Sequence, residues 1–437
     1  MRRALIVSPH FPPVNAPDHQ RVRMSLPHLG EFGWSATILT VTADCIEGIT
    51  LDSLLERTLP EDLDVVRVGA VPAAITRLVG LGNLALRSLP YLYQSGARML
   101  RSQSFDLVYF STTQFLVTIL GPIWKRKFRV PYVVDFQDPW LDDYYERTGV
   151  SPPGGKRKYQ LSRAMARLLE PRVTRSVSQV ISVSPVYAET LLARYHHLQR
   201  DQFTVLPFGA AERDFELLRS LEIKQRVFNP RDGQQHWVYI GRGGRDMWPA
   251  LRLFFSGLAA LLQRDLDPRN KLRLHFVGTS YAPARHAEKT IEPIAQEFGV
   301  GDLVQEETNR IPYFEALKTL KDSHALAIIG SDSPGYSASK LYPYMFARKP
   351  LLAILHRDSP AVQILRQCRA GEIVGFDPSR PVQESVVETT QALQRIYAMA
   401  EEHRAPDIDE EELAKYTARE MTRRQCEVFD RAAILNR

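Results

Sequence analysis

Cysteine is scarce in this 437-residue chain: Cys45, Cys368 and Cys426 are the only three, far apart and odd in number. No Cys-x-x-Cys spacing occurs, which excludes a disulfide framework and thiolate metal sites and points to a reduced, cytoplasmic setting. The three thiols are expected to serve as small hydrophobes. No run of about 18 apolar residues exists, so no membrane-spanning helix is expected. The opening Met1-Arg2-Arg3 leads only into Ala4-Leu5-Ile6-Val7, too short for the apolar core of a secretion signal. Low-complexity tracts, short-period repeats and a Lys/Arg tail are also missing. The net charge of +6 is dispersed along the chain, so an anionic partner is expected but not a nucleic acid.

What is present is an ordinary globular composition, 44% hydrophobic and 24% charged, in a chain long enough for two cores. Short apolar runs, each closed by turn residues, alternate with helical patterns. Ala4–Val7 ends in Ser8-Pro9-His10-Phe11-Pro12-Pro13; a helix is expected near Asp18 to Phe32; Ala36–Thr40 reads as the next strand. The rhythm continues through Leu63–Val68, Asp106–Phe110, Tyr132–Phe136, Gln179–Ser184 and Phe203–Leu206. A polar stretch carrying Asn229-Pro230-Arg231-Asp232-Gly233 interrupts it, and it resumes with Trp237–Ile240, Leu272–Val277, Ala325–Ile329, Leu351–Leu355 and Gly371–Val374. Strands alternating with helices predict parallel, doubly wound sheets. The chain therefore reads as α/β with two Rossmann-like domains. The expected division is 1–210 for the first domain, 211–235 for a junction and 236–405 for the second domain. Residues 406–437 are expected to hold a C-terminal amphipathic helix over about Glu410 to Ala433 that returns to the first domain. Ligands of such sheets bind beyond the carboxyl ends of the strands, and a crevice between two such domains is a favoured place.

Four loops at strand ends carry residues suited to chemistry. Gly241-Arg242-Gly243-Gly244-Arg245 lies between a strand and a helix. Its glycines permit close backbone approach, and its arginines suit diphosphate oxygens; the same segment also fits an ordinary glycine-rich turn. It lacks the Lys-Ser/Thr ending of a P-loop. Gly330 to Lys340 offers the hydroxyls of Ser337 and Ser339, with Lys340 expected in a first helical turn. A cation opposes the helix dipole there, which an anion bound opposite would explain. The loop after the first strand offers His10, Asp18, His19 and Arg21. Its two histidines lack the carboxylate–His spacing of a metal site, and no metal is expected. Finally, Asp135-Phe136-Gln137-Asp138-Pro139-Trp140 sends two carboxylates from one strand end, fit for orienting a hydroxyl or for capping a helix.

The order of these motifs resembles the retaining GT-B glycosyltransferases, in particular glycosyltransferase family 4. Ile6-Val7-Ser8-Pro9-His10-Phe11-Pro12-Pro13 is similar to that family's first β-α-β unit, and Asp135–Trp140 to its Asp-x-x-Asp-x-Trp segment. Val205-Leu206-Pro207-Phe208-Gly209 resembles its crossover, with Phe208 where asparagine is usual. Tyr239-Ile240-Gly241-Arg242 resembles its Gly-Arg, and Lys340–Pro350 its Lys-Leu-Phe-Glu-Tyr helix. Three departures stand out. The family's Glu-x7-Glu pair falls on Gly335 and Pro343, and its histidine near the third strand end falls around Ser111.

The resemblance implies a transferase moving a sugar from a nucleotide-diphosphate donor to a glycan or lipid-linked acceptor, as in surface polysaccharide assembly, with no cofactor. It implies Arg242 and Lys340 as the groups neutralising the leaving diphosphate. Gly241, Gly243, Arg245, Gly278, Tyr336 and Ser339 would join them around the nucleotide sugar. His10, Asp18, Arg21 and Asp135 would meet the acceptor, and Asp138 would contact it at the reacting centre. The missing glutamates leave open a binding or scaffold protein that has lost catalysis, and a sugar-nucleotide epimerase is a further alternative on the same fold. Residues 75–101 mix Arg with Leu and Tyr and contain no acidic residue. Such a stretch fits either a core helix with solvated arginines or a face lying on an anionic membrane, hence a peripheral location at the inner membrane face.

Overall fold

The computed structural model describes residues 1–77, 82–143, 145–146, 155–264, 267–280, 287–336, 339–381 and 383–434. The chain forms two compact units: Met1–Phe208 with Ala418–Arg437, and Gly209–Thr417.

The first unit is a seven-stranded parallel sheet in the order β3-β2-β1-β4-β5-β6-β7. The strands are β1 (Arg2–Val7), β2 (Trp34–Val41), β3 (Asp64–Val68), β4 (Leu107–Ser111), β5 (Tyr132–Phe136), β6 (Gln179–Ser182) and β7 (Phe203–Val205). β1 from Ala4 onward, β4 and β5 are buried along their length because both faces of the sheet are covered. Ile6 pairs in register with Ile38 on one side and Tyr109 on the other. One face packs under the helices Leu84–Ser102, Leu120–Phe128 and Lys156–Thr174, around Leu92, Trp124 and Val173. The other face is covered by the helices Gln20–Ser25 and Ala418–Ile434. There Phe429 meets Trp34 and Tyr109 edge-on, at 5.3 and 4.9 Å between ring centres.

The second unit is a six-stranded parallel sheet in the order β10-β9-β8-β11-β12-β13. Its strands are β8 (Gln235–Ile240), β9 (Leu272–Val277), β10 (Val304–Glu307), β11 (Ala325–Ile329), β12 (Leu351–His356) and β13 (Glu372–Phe376). The helices Trp248–Arg264 and Gln383–Glu401 pack together over one face and supply Phe254, Leu258, Leu393 and Ile396 to its core. The polar stretch 211–235 lies within this unit and begins with the helix Glu212–Ser220.

In both sheets the strand order reverses at the first strand, between β1 and β4 and between β8 and β11. Helices leaving in opposite directions open a crevice at such a point, where α/β sheets bind ligands. The loops after β1, β4, β8 and β11 lie at these two points.

Two helices differ from expectation. The stretch expected as one helix from Asp18 to Phe32 is α-helical only over Gln20–Ser25, and it tightens into a 3-10 helix over Leu26–Phe32, where Pro27 withdraws a backbone donor. Gly33 ends it at φ +80°. The C-terminal pattern is two helices, Glu410–Ala414 and Ala418–Ile434. The buried thiols of Cys368 and Cys426 are pushed up to about 11 and about 12 by burial, so both are inert hydrophobes at neutral pH.

Candidate functional site

The loop after β8 is organised by an ion pair that spacing alone did not single out. Arg242 donates from Nη1 and Nη2 to the two carboxylate oxygens of Asp246, at 2.7 and 2.5 Å. Burial opposes both charges. The two-pronged contact nonetheless holds the Asp246 carboxyl below its usual range and the guanidinium above its own. Gly244 makes room for the fork, since a Cβ there would fall 2.5 Å from Asp246 Oδ1 and 2.8 Å from Arg242 Nη1. Two loop amides are already engaged, Gly241 N–H by the Val277 carbonyl and Gly243 N–H by that of Thr279. At those two positions the glycines do not form an amide cradle.

Lys340 comes to this loop from the far side of β11. It stands as the residue before the helix Leu341–Ala347, one position short of the first turn expected from the sequence. Its ammonium donates to Tyr239 Oη at 2.6 Å and lies 4.1 Å from the centre of that ring. The Tyr239 hydroxyl in turn donates to the Arg242 carbonyl at 2.8 Å. Among the described residues no carboxylate pairs with Lys340. Burial, followed by repulsion from Arg242, pushes its pKa down to about 7. Tyr344, one turn along the same helix, accepts from the Ile240 N–H at 2.7 Å and so ties the helix to the end of β8.

Around this centre Tyr336 lies under the Arg242 guanidinium, 5.4 Å from the ring centre. Gly278 takes φ +74° as β9 turns away, and its N–H bonds the Glu307 carbonyl. Arg245 is exposed and lies over Trp248, and Ser339 is exposed. The structure thus brings Gly241, Arg242, Gly243, Tyr336 and Lys340 together, with Gly278 on the adjoining loop. Ser337 lies outside the described residues. Asp246, Tyr239 and Tyr344 belong to the constellation as well. The Arg-x-x-x-Asp spacing 242–246 was the available signal for the first.

The first unit gathers its polar residues at the ends of β1, β4 and β5. His10 Nδ1 donates to Asp18 at 2.9 Å. Asp18 is buried, and it also accepts from Thr112 Oγ1 at 3.0 Å and from the Thr113 N–H at 3.3 Å. Although burial opposes its charge, the bond from His10 holds its carboxyl below the usual range. His19 is turned inward. Burial pushes it down to about 4, and its Nε2 donates to the Val14 carbonyl at 2.7 Å.

Arg21 and Asp135, expected to meet an acceptor, instead meet each other at 2.8 Å with 4% and 0% of their side chains exposed. Arg21 also donates to the Leu206 and Pro207 carbonyls, and its guanidinium lies 4.9 Å from the centre of the Phe208 ring. Asp135 Oδ2 accepts from Ser111, Gln137 and Tyr109 as well. These two charges lock the ends of β5 and β7 together, and neither faces solvent. Asp138, three residues on, is exposed. Among the described residues no group of three or more His, Cys, Asp or Glu is placed to hold a metal.

A second polar hollow sits at the opposite end of the second sheet, lined by His324, Arg348, Lys349, His403 and Arg404. It lies beyond the helices Tyr313–Asp322, Leu341–Ala347 and Gln383–Glu401, all of which end near it. Cations at helix C-termini offset their terminal carbonyls, as Lys321 does for Ala347. That accounts for the basic lining without a ligand.

Two Rossmann-like units built on parallel sheets are the fold class GT-B, and solved structures share it along the whole chain. A glycosyltransferase from Rickettsia africae aligns with a TM-score of 0.55 at 13% identity, covering 98% of each chain. HepE from Anabaena, solved in complex with UDP, gives 0.51 at 15%, covering 100% of this chain and 97% of that one. The N-terminal domain of Candida albicans trehalose-6-phosphate phosphatase gives 0.59 at 13%, covering 99% and 97%. At such identities the likeness is one of fold. Residues 19–209, most of the first unit, match the family model described as glycosyl transferase 4-like domain. No curated protein matches the sequence.

Proposed function

We propose that the chain is a glycosyltransferase whose second unit binds a nucleotide-diphosphate sugar and whose first unit receives a glycan or lipid-linked acceptor, in surface polysaccharide assembly. The observation that carries this reading is the meeting of Arg242 and Lys340 at the strand reversal of the second sheet. Lys340 is a half-buried cation with a depressed pKa and no carboxylate partner among the described residues, an arrangement that costs free energy unless an anion arrives. A diphosphate would restore its proton and accept from the Arg242 N–H groups that Asp246 leaves unused. Both cations would then be in place to offset the charge that develops on the departing diphosphate. HepE's complex with UDP, on the same fold, supports this choice of ligand. Of the residues expected to meet an acceptor, His10 and Asp138 keep exposed surface, whereas Asp18, Arg21 and Asp135 are buried.

The test is release of nucleoside diphosphate from a panel of uridine, guanosine and adenosine diphosphate sugars, with and without glycan or lipid-linked acceptors. Acceptor-dependent release from one donor is expected. Failure to bind any of the three nucleoside diphosphates would overturn the reading. Tight binding with no turnover would mark a binding protein, the outcome that the absent glutamates at Gly335 and Pro343 would explain.

Gly241 offers a sharper local prediction. A Cβ at this position would lie 2.0 Å from the Lys340 ammonium. That ammonium is the end of a flexible chain, so Gly241→Ala should displace it, with local strain added by the Gly241 φ of +159°. Diphosphate affinity is expected to fall about tenfold, the loss of one charge-assisted contact. Calorimetric titration reads the change, and an unaltered dissociation constant would show that Lys340 has no role at that spot.

A further inference from the structure

The helices Leu84–Ser102, Leu120–Phe128 and Lys156–Thr174 lie side by side on one face of the first sheet, so their outer sides form one surface. The first two contain no acidic residue, and the third contains only Glu170, which is buried and bonded to Arg194 and Tyr195. Large apolar side chains stand out from the same surface: Tyr91 at 41%, Ile123 at 42%, Leu161 at 50% and Leu168 at 54% exposure.

The helix Lys156–Thr174 shows the pattern most clearly. Ala166, Glu170 and Val173 face the core. On the opposite side Arg157, Leu161, Ala164, Leu168 and Arg172 follow one another at spacings of four and three, a single helical stripe. Lys158 and Arg167 flank it. Among the described residues none of these four cations has a carboxylate partner. The nearby acids Asp142, Asp143 and Glu146 gather about Tyr159, on the inward side, and Glu146 is taken by Arg163.

We propose that this outer stripe docks the protein on an anionic bilayer surface, with Leu161 and Leu168 entering the headgroup boundary and the arginines meeting lipid phosphates. Charge complementarity argues for the anionic partner, and two leucines set between cations argue for a bilayer over a nucleic acid, whose phosphates need no apolar contact. The stripe lies on a different helix from the stretch 75–101 singled out by composition. Within that stretch Arg87 is buried and donates to the Val71 and Cys45 carbonyls, while residues 78–81 lie outside the described structure. The inference is independent of the donor reading, because every residue it uses lies on the first unit.

The full chain should co-sediment with vesicles of phosphatidylcholine containing phosphatidylglycerol and not with pure phosphatidylcholine, and the bound fraction should fall steeply with salt. Replacing Leu161 and Leu168 together by glutamate should weaken vesicle binding about tenfold or more without altering nucleotide binding or thermal stability, since both side chains are exposed. Charge reversal at Arg157, Arg167 and Arg172 should abolish it. Absence of binding to the anionic vesicles at low salt would overturn the proposal. So would vesicle binding indifferent to both sets of variants, or equal binding to duplex DNA that the leucine variant leaves unchanged.

Discussion

Lys340→Met should melt at a higher temperature than the parent chain at pH 6 and lose most of its affinity for nucleoside diphosphates. The two effects share one cause. In the folded chain Lys340 has a pKa of about 7 against an ordinary 10.5. Between those values the unfolded chain holds the extra proton, so stability rises with pH across the window. The cost of holding the cation is complete below pH 7 and fades as pH climbs toward 10.5. A methionine of similar length removes that cost, so its stabilisation should be largest at pH 6, roughly several degrees, and small near pH 10. Ligand affinity should fall by on the order of a hundredfold, because an ammonium confronting phosphate oxygens in a partly buried site contributes more than an exposed one. Differential scanning calorimetry from pH 6 to 10, with titration of uridine, guanosine and adenosine diphosphates, reads both. A variant less stable than the parent at pH 6 would show that Lys340 is a structural residue.

The largest loss of stability is expected in the first unit. Arg21→Met would leave Asp135, fully buried, without its cation, and its Oδ1 already lacks a hydrogen-bond partner among the described residues. Breaking a buried pair from one side costs about 3–5 kcal/mol. For a unit of this size that corresponds to a fall on the order of 10 °C in the melting temperature. Removing both charges, Arg21→Met with Asp135→Leu, should recover much of the loss, because no charge is then stranded. Were Arg21 instead a substrate contact, the single variant would raise KM at unchanged melting temperature. Thermal denaturation of the single and double variants separates the two accounts.

These residues also show what could be seen in the chain before its structure. The parallel strands were plain, because each is a short apolar run closed by a turn, and two such sets predict two Rossmann-like domains. The GT-B class was implied by the resemblance of the ordered motifs. Arg242 and Lys340 were visible as cations at strand ends. What held them was not. The Arg242–Asp246 fork forms only because the loop folds back over glycines, and Tyr239 reaches Lys340 across 101 residues of sequence. Asp135 looked available for chemistry because carboxylates at strand ends often are. Its partner Arg21 lies 114 residues earlier, and only the strand order β1-β4-β5 delivers it. The basic stripe 157–172 is not legible in the sequence because period-3.6 patterning shows an apolar face without showing which side is covered.

Proton uptake on ligand binding tests the diphosphate site most directly. At pH 8 the ligand's own phosphates are already ionised, whereas Lys340 is mostly neutral. Titrating a nucleoside diphosphate in buffers of different ionisation enthalpy should therefore show roughly one proton taken up per molecule bound, and almost none in Lys340→Met. Binding without proton uptake, or uptake that persists in the variant, would contradict a diphosphate seated against this lysine.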